Sequence, residues 1–113
     1  MEITKFHCHV YFDAETKIYA NELWARAKKE LHPSTVGTFH EKLVGPHLMW
    51  NFMIAFTKEH FLEVNLWLMK NRSNLNILVH ADTGYDLIDH TERCFWYGQN
   101  IGIDKSKLDP DPE

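Results

Sequence analysis

The segment FHCHVYFD, residues 6–13, constrains the chain more than any other because it alternates strictly. Successive side chains of a strand point to opposite faces, so Phe6, Cys8, Val10 and Phe12 line one face and His7, His9, Tyr11 and Asp13 the other. Such a strand belongs inside a sheet, with a packed core beneath it. Its second face carries two imidazoles whose Cα atoms stand about 7 Å apart and can converge on one ion. One hydrogen-bonded and one exposed histidine is the alternative, and a third ligand is needed to separate the two.

Around this strand the remaining elements fall in a definite order. Asp13 predicts an N-cap, and Ala20, Leu23, Trp24, Ala27 and Leu31 recur at helical spacing, which gives an amphipathic helix from Ala14 to Leu31. VGTFHEKLV, residues 36–44, reads as a short strand, and Gly45-Pro46 separates it from a second run over His47 to Phe56, forming a hairpin. In that run Leu48, Trp50, Phe52, Ile54 and Phe56 oppose His47, Met49, Asn51, Met53 and Ala55, so both faces are covered. Thr57 opens a second helix over Lys58 to Arg72, with Phe61, Leu62, Val64, Leu66, Leu68 and Met69 as a wide apolar stripe. LNILVH is a fourth strand, ADTG a turn, and YDLIDHTERCFWYG a short helix closed by Gly98 before the DPDPE tail.

The resulting order, βαββαβ, predicts an α+β ferredoxin-like sandwich: a four-stranded antiparallel sheet with two helices on one face, plus a short C-terminal helix. At 113 residues this is one domain, 1–113, with one core. The bare sheet face, with Met49 and Met53, calls for either a homodimer across it or covering by the C-terminal segment.

A net charge of −4 and scattered basic residues argue against a nucleic-acid partner. No apolar stretch has the length of a membrane span. Cys8 and Cys94 read as reduced thiols and the chain as cytoplasmic. Eight histidines are the conspicuous excess, and they raise the prior for a metal or acid–base site.

In this topology the first strand is central, between the third and fourth, so His80 lies beside His7 and is the best third ligand. His47 falls near the far end of the first strand, by Tyr11 and Asp13, as a substrate or proton group. His90 follows His80 by ten residues, and a turn plus helix can return it or Asp89 over the site. His32, His40 and His60 read as structural or solvent residues, and the Trp and Phe residues, Trp50 among them, as packing.

The blocks FHCHVYFD, VGPHLMWNFMIAF and LVHADTGYDLIDHTERCFWYG together resemble the DOPA 4,5-dioxygenase family, small proteins with a ferredoxin-like fold, over almost the whole chain. Relatives commonly read GPHP and VHPxTG where this chain has Leu48 and Ala81, beside His47 and His80. These departures bear on loop shape and substrate choice more than on ligation. The resemblance implies an extradiol-type dioxygenase in which non-haem Fe(II) binds both oxygens of a catechol such as DOPA together with O2. The ring opens beside the two hydroxyls to a muconic semialdehyde. The ion's ligands are then His7, His9 and His80, with exchange for His47 or His90 left open and Asp89 or Asp13 as sources of a carboxylate. Another divalent metal can replace iron in a purified sample. His47 and His90 are the acid–base candidates and Tyr11 a hydrogen-bond donor; Arg93 is the nearest arginine, and its ordinary role is a surface ion pair. Two other readings stand beside this one: a metal-independent dimeric ferredoxin-like monooxygenase, and a small-aromatic or metal-binding module without catalysis.

Overall fold

The computed structural model describes residues 1–111. Its elements are β1 (Lys5–Phe12), α1 (Lys17–Glu30), β2 (Thr35–Val36), β3 (Trp50–Thr57), α2 (Phe61–Asn71), β4 (Ile77–Ala81), α3 (Asp86–Thr91) and β5 (Cys94–Tyr97). One antiparallel sheet runs β2-β3-β1-β4-β5. The first four of these are the ferredoxin-like sheet that the sequence predicts, with β1 at its centre.

The fifth strand is a difference. CFWY reads as the end of a helix because it is short and precedes Gly98, yet aromatic residues favour a pleated surface and the segment pairs with β4. The C-terminal helix is therefore only α3, six residues long. Gly98 ends β5 at φ +78°, where a side chain would collide with Asn76 Oδ1. The predicted strand over residues 36–44 contracts to β2 plus a single bridge from His40 to Asn51. The rest of residues 37–49 forms a loop.

Phe6, Cys8, Val10 and Phe12 do face the helices. A continuous core joins Cys8, Val10, Phe12, Phe52, Ile54, Ile77 and Val79 to Ala20, Leu23, Ala27 and Leu31 of the α1 region and to Val64 and Leu68 of α2. Asp13 does not cap α1 directly. Its carboxylate accepts from the backbone N–H groups of Glu15 and Thr16 (3.0 Å each), forming the turn that leads into the helix at Lys17. Both cysteines are free; Cys8 is in the core and Cys94 pairs with His80 on the other sheet face.

That other face is not left bare. The loop 37–49 and the segment after β5 meet over it: His47 bridges Ile103, and the Asp104 N–H donates to the Pro46 carbonyl (2.7 Å). Asp111, in the predicted tail, accepts from the Leu87 and Ile88 N–H groups of α3 (2.9 and 3.1 Å), and residues 112 and 113 of that tail lie outside the described residues. No helix among the described residues is long and apolar enough to cross a membrane.

Candidate metal centre

β1 presents His7 and His9 on the face away from the helices, and β4 places His80 directly opposite His7 in the ladder. The ring centroids are 6.2 Å apart for His7–His9, 5.3 Å for His7–His80 and 5.2 Å for His9–His80. Each of the three offers a ring nitrogen within 4.8 Å of the other two, and these residues form the one such His, Cys, Asp or Glu group among the described residues.

The hydrogen bonds fix which nitrogens face inward. His80 Nδ1 lies 2.7 Å from the Ala81 carbonyl oxygen, which can only accept, so this nitrogen carries the proton. His9 Nδ1 lies 3.1 Å from Asn51 Oδ1, whose amide is turned by donating its Nδ2 to the Met49 carbonyl (3.4 Å). His9 is thereby a donor at Nδ1 as well. Both rings therefore keep a bare lone pair on Nε2, and these two atoms sit 3.1 Å apart. Two lone pairs aimed at each other in a buried site repel unless a cation lies between or beside them. Nitrogens so spaced can share an ion about 2.1 Å from each, and imidazoles pinned through the other nitrogen are the usual form of metal-ligating histidine. The donor set thus fits a divalent transition metal.

Burial maintains that state. It holds His9 well below the ordinary histidine value, with His47 and His80 adding like-charge repulsion. It pushes His80 down to about 3 and His47 down to about 4. His7, with a quarter of its side chain exposed, is lowered by burial against the opposing pull of the Asp82 carboxylate, 3.3 Å from its Nε2.

The other two candidates close over the trio. The loop lays His47 on His9 with ring centroids 3.9 Å apart, and α3 lays His90 on His80 at the same 3.9 Å. His47 thus sits closer to the trio than the sequence suggests. Tyr11 OH is 2.6 Å from His47 Nδ1. Burial pushes the phenol pKa upward, so Tyr11 keeps its proton and donates it, which leaves the His47 proton on Nε2. His90 Nδ1 donates to the Asp86 carbonyl (2.7 Å), so its Nε2 is the bare nitrogen. A cavity of about 440 Å³ opens beside His47 between Leu43, Leu48, Asp104 and Lys107. A second, of about 270 Å³, lies beside His90 against Trp96 and Ile103.

The remaining sequence candidates are engaged elsewhere. Asp89 is buried and accepts from the Thr83 N–H (2.7 Å) and hydroxyl (2.8 Å), with Arg93 Nη1 3.6 Å away. Asp13 is spent on its turn, so neither carboxylate joins the converging donors. Arg93 braces the ADTG turn through Thr83 and Asp89. His32, His40 and His60 lie outside the cluster. Two residues escaped the sequence reading: Asn51, legible as a lone amide on the histidine face of its strand, and Asp82, which follows His80 by two positions.

A ferredoxin-like sandwich whose sheet face away from the helices gathers five imidazoles is the class that fold and site define. A model of the Dopa 4,5-dioxygenase family matches residues 6–107, and the chain belongs to that family. It is 34% identical over 112 residues to an uncharacterized 21.2 kDa protein of Botryotinia fuckeliana, a match over 89% of this chain and 61% of that one. It is 28% identical over 115 residues to the DOPA 4,5-dioxygenase of Amanita muscaria, over 95% of this chain and 50% of that protein. The chain thus spans about half to three-fifths of the length of these two relatives. The crystal structure of a candidate dioxygenase from Nostoc punctiforme superposes with a TM-score of 0.87 at 34% identity, covering 92% of this chain and 90% of that one.

Proposed function

We propose that this chain is a ring-cleaving dioxygenase of the extradiol type, which opens a catechol such as DOPA beside its two hydroxyls using Fe(II) and O2. The observation that carries the reading is the pair of unprotonated Nε2 atoms of His9 and His80, 3.1 Å apart and each locked from behind through Nδ1. The family membership and the match to the Amanita muscaria enzyme support it from outside the site. His7, His9 and His80 hold the ion. When bound, Fe(II) would supply the Lewis-acid and redox chemistry through which a catechol and dioxygen react.

The protein's own groups manage the protons. The bare Nε2 of His90 accepts the proton that a catechol hydroxyl gives up on binding. The Nε2–H of His47, held outward by the Tyr11 hydroxyl at Nδ1, donates toward oxygen on the substrate. Loop 37–49 and the segment after β5 shield the reacting groups from water. A cytoplasmic location, where Cys8 and Cys94 stay reduced, accords with this reading.

The test is anaerobic reconstitution with Fe(II), followed by a panel of catechols with oxygen uptake and product absorbance recorded together. We expect one oxygen consumed per ring opened with at least one catechol, and loss of turnover in chelator. Turnover that survives chelation indicates the metal-independent monooxygenase; a flat trace across the panel with iron bound indicates a binding module.

A further inference from the structure

The helix α2 is apolar on two sides, and only one of them is used. Val64 and Leu68 are buried in the core. Leu62, Leu66 and Met69, predicted as part of the same stripe, are instead 69%, 55% and 62% exposed. Their spacing of i, i+4 and i+7 sets them in one line along the helix. β5, the edge strand, is fastened beside α2 by the Tyr97 hydroxyl, which donates to Asn65 Oδ1 (2.5 Å), and by the packing of Phe61 against Phe95. Phe95, 42% exposed, is a further exposed aromatic on the sheet edge, beside Phe61. Monomers seldom leave a contiguous apolar seam of this kind uncovered.

We infer that this seam binds a second copy of the chain, with the two α2 helices antiparallel across a two-fold axis near Leu66. The charges choose both occupant and direction. Glu59, Glu63 and Lys70 flank the seam on one side and are exposed. In an antiparallel pair, equal flanks face each other, so an axis between Leu66 and Trp67 sets Glu63 against the partner's Lys70, and the two-fold repeats the pair. A parallel pair would set this flank against the partner's opposite flank, so Glu63 would not meet Lys70. The antiparallel arrangement also opposes the two helix dipoles. This face is separate from the histidine site, so the pairing differs from a homodimer across the sheet face, which the loop and the C-terminal segment occupy.

Eleven residues of helix span only about 16 Å, and the seam is smaller than the roughly 800 Å² per partner of a permanent dimer, so the association is concentration-dependent. Sedimentation velocity of the whole chain over about a hundredfold range of concentration tests it. The wild type is expected to shift from monomer to dimer, and Leu66→Lys to stay monomeric with an unchanged circular dichroism spectrum. Glu63→Lys is expected to weaken the dimer by at least about tenfold, and Glu63→Lys with Lys70→Glu to restore it. A monomer at every concentration, a dimer indifferent to Leu66→Lys, or a charge swap that fails to restore pairing each overturns the inference. The swap settles the matter even if Leu66→Lys perturbs folding.

Discussion

His80→Gln is expected to lower affinity for Fe(II) by at least about 100-fold, while raising the melting temperature of the metal-free protein. The two effects have one origin. In the metal-free protein the Nε2 lone pairs of His9 and His80 face each other at 3.1 Å, with both ring protons committed to Asn51 and Ala81 on the far side. A glutamine at position 80 can turn an amide N–H toward His9 Nε2, replacing repulsion with a hydrogen bond worth about 1 kcal/mol, or about 3–6 °C in a domain of this size. The same replacement deletes a ligand. Substitution of an ordinary buried, hydrogen-bonded histidine loses stability, so calorimetry and anaerobic metal titration on one variant separate the two roles. A fall in melting temperature with metal affinity intact contradicts the assignment.

Acid should unfold the metal-free protein abruptly between about pH 5.5 and pH 4. His9, His47 and His80 are buried with folded-state values far below the ordinary 6.5, to about 3 for His80 and about 4 for His47. Below pH 6.5 the unfolded chain takes up protons at these sites and the folded chain does not. Stability is therefore complete above that value and falls as pH drops toward the folded-state values, by about 1.4 kcal/mol per pH unit for each histidine. Three together remove about 4 kcal/mol per unit from the roughly 5–15 kcal/mol that a domain holds. Circular dichroism against pH, with urea titrations at pH 7 and pH 5, measures the slope. Unfolding at the acid end should take up about three protons per molecule; equal stability at the two pH values would mean that these rings are already charged or solvated in the folded state.

Much of the architecture was legible because it follows from local rules. The alternation in FHCHVYFD separates a core face from a histidine face without reference to any other residue, and the βαββαβ order then sets His80 beside His7. What could not be read depends on surfaces meeting across the fold. Residues 36–44 contain strand formers, yet most of that segment leaves the sheet edge to carry His47 onto His9. Leu62, Leu66 and Met69 have the hydropathy of core residues, and only the place of α2 beside the edge strand decides that they are exposed. The role of Asn51 rests on which way one amide is turned, a property of its hydrogen bonds and not of its spacing. The covered sheet face follows from the Ile103 and Asp104 contacts, far along the chain from the histidines they enclose.

X-ray absorption at the iron edge of the anaerobically reconstituted protein addresses the ion's surroundings directly. One Fe(II) per chain is expected, with imidazole scattering from three histidines at about 2.1 Å, falling to two in His80→Gln forced to load at high metal. A spectrum without imidazole scattering, or one unchanged by His80→Gln, would contradict this expectation.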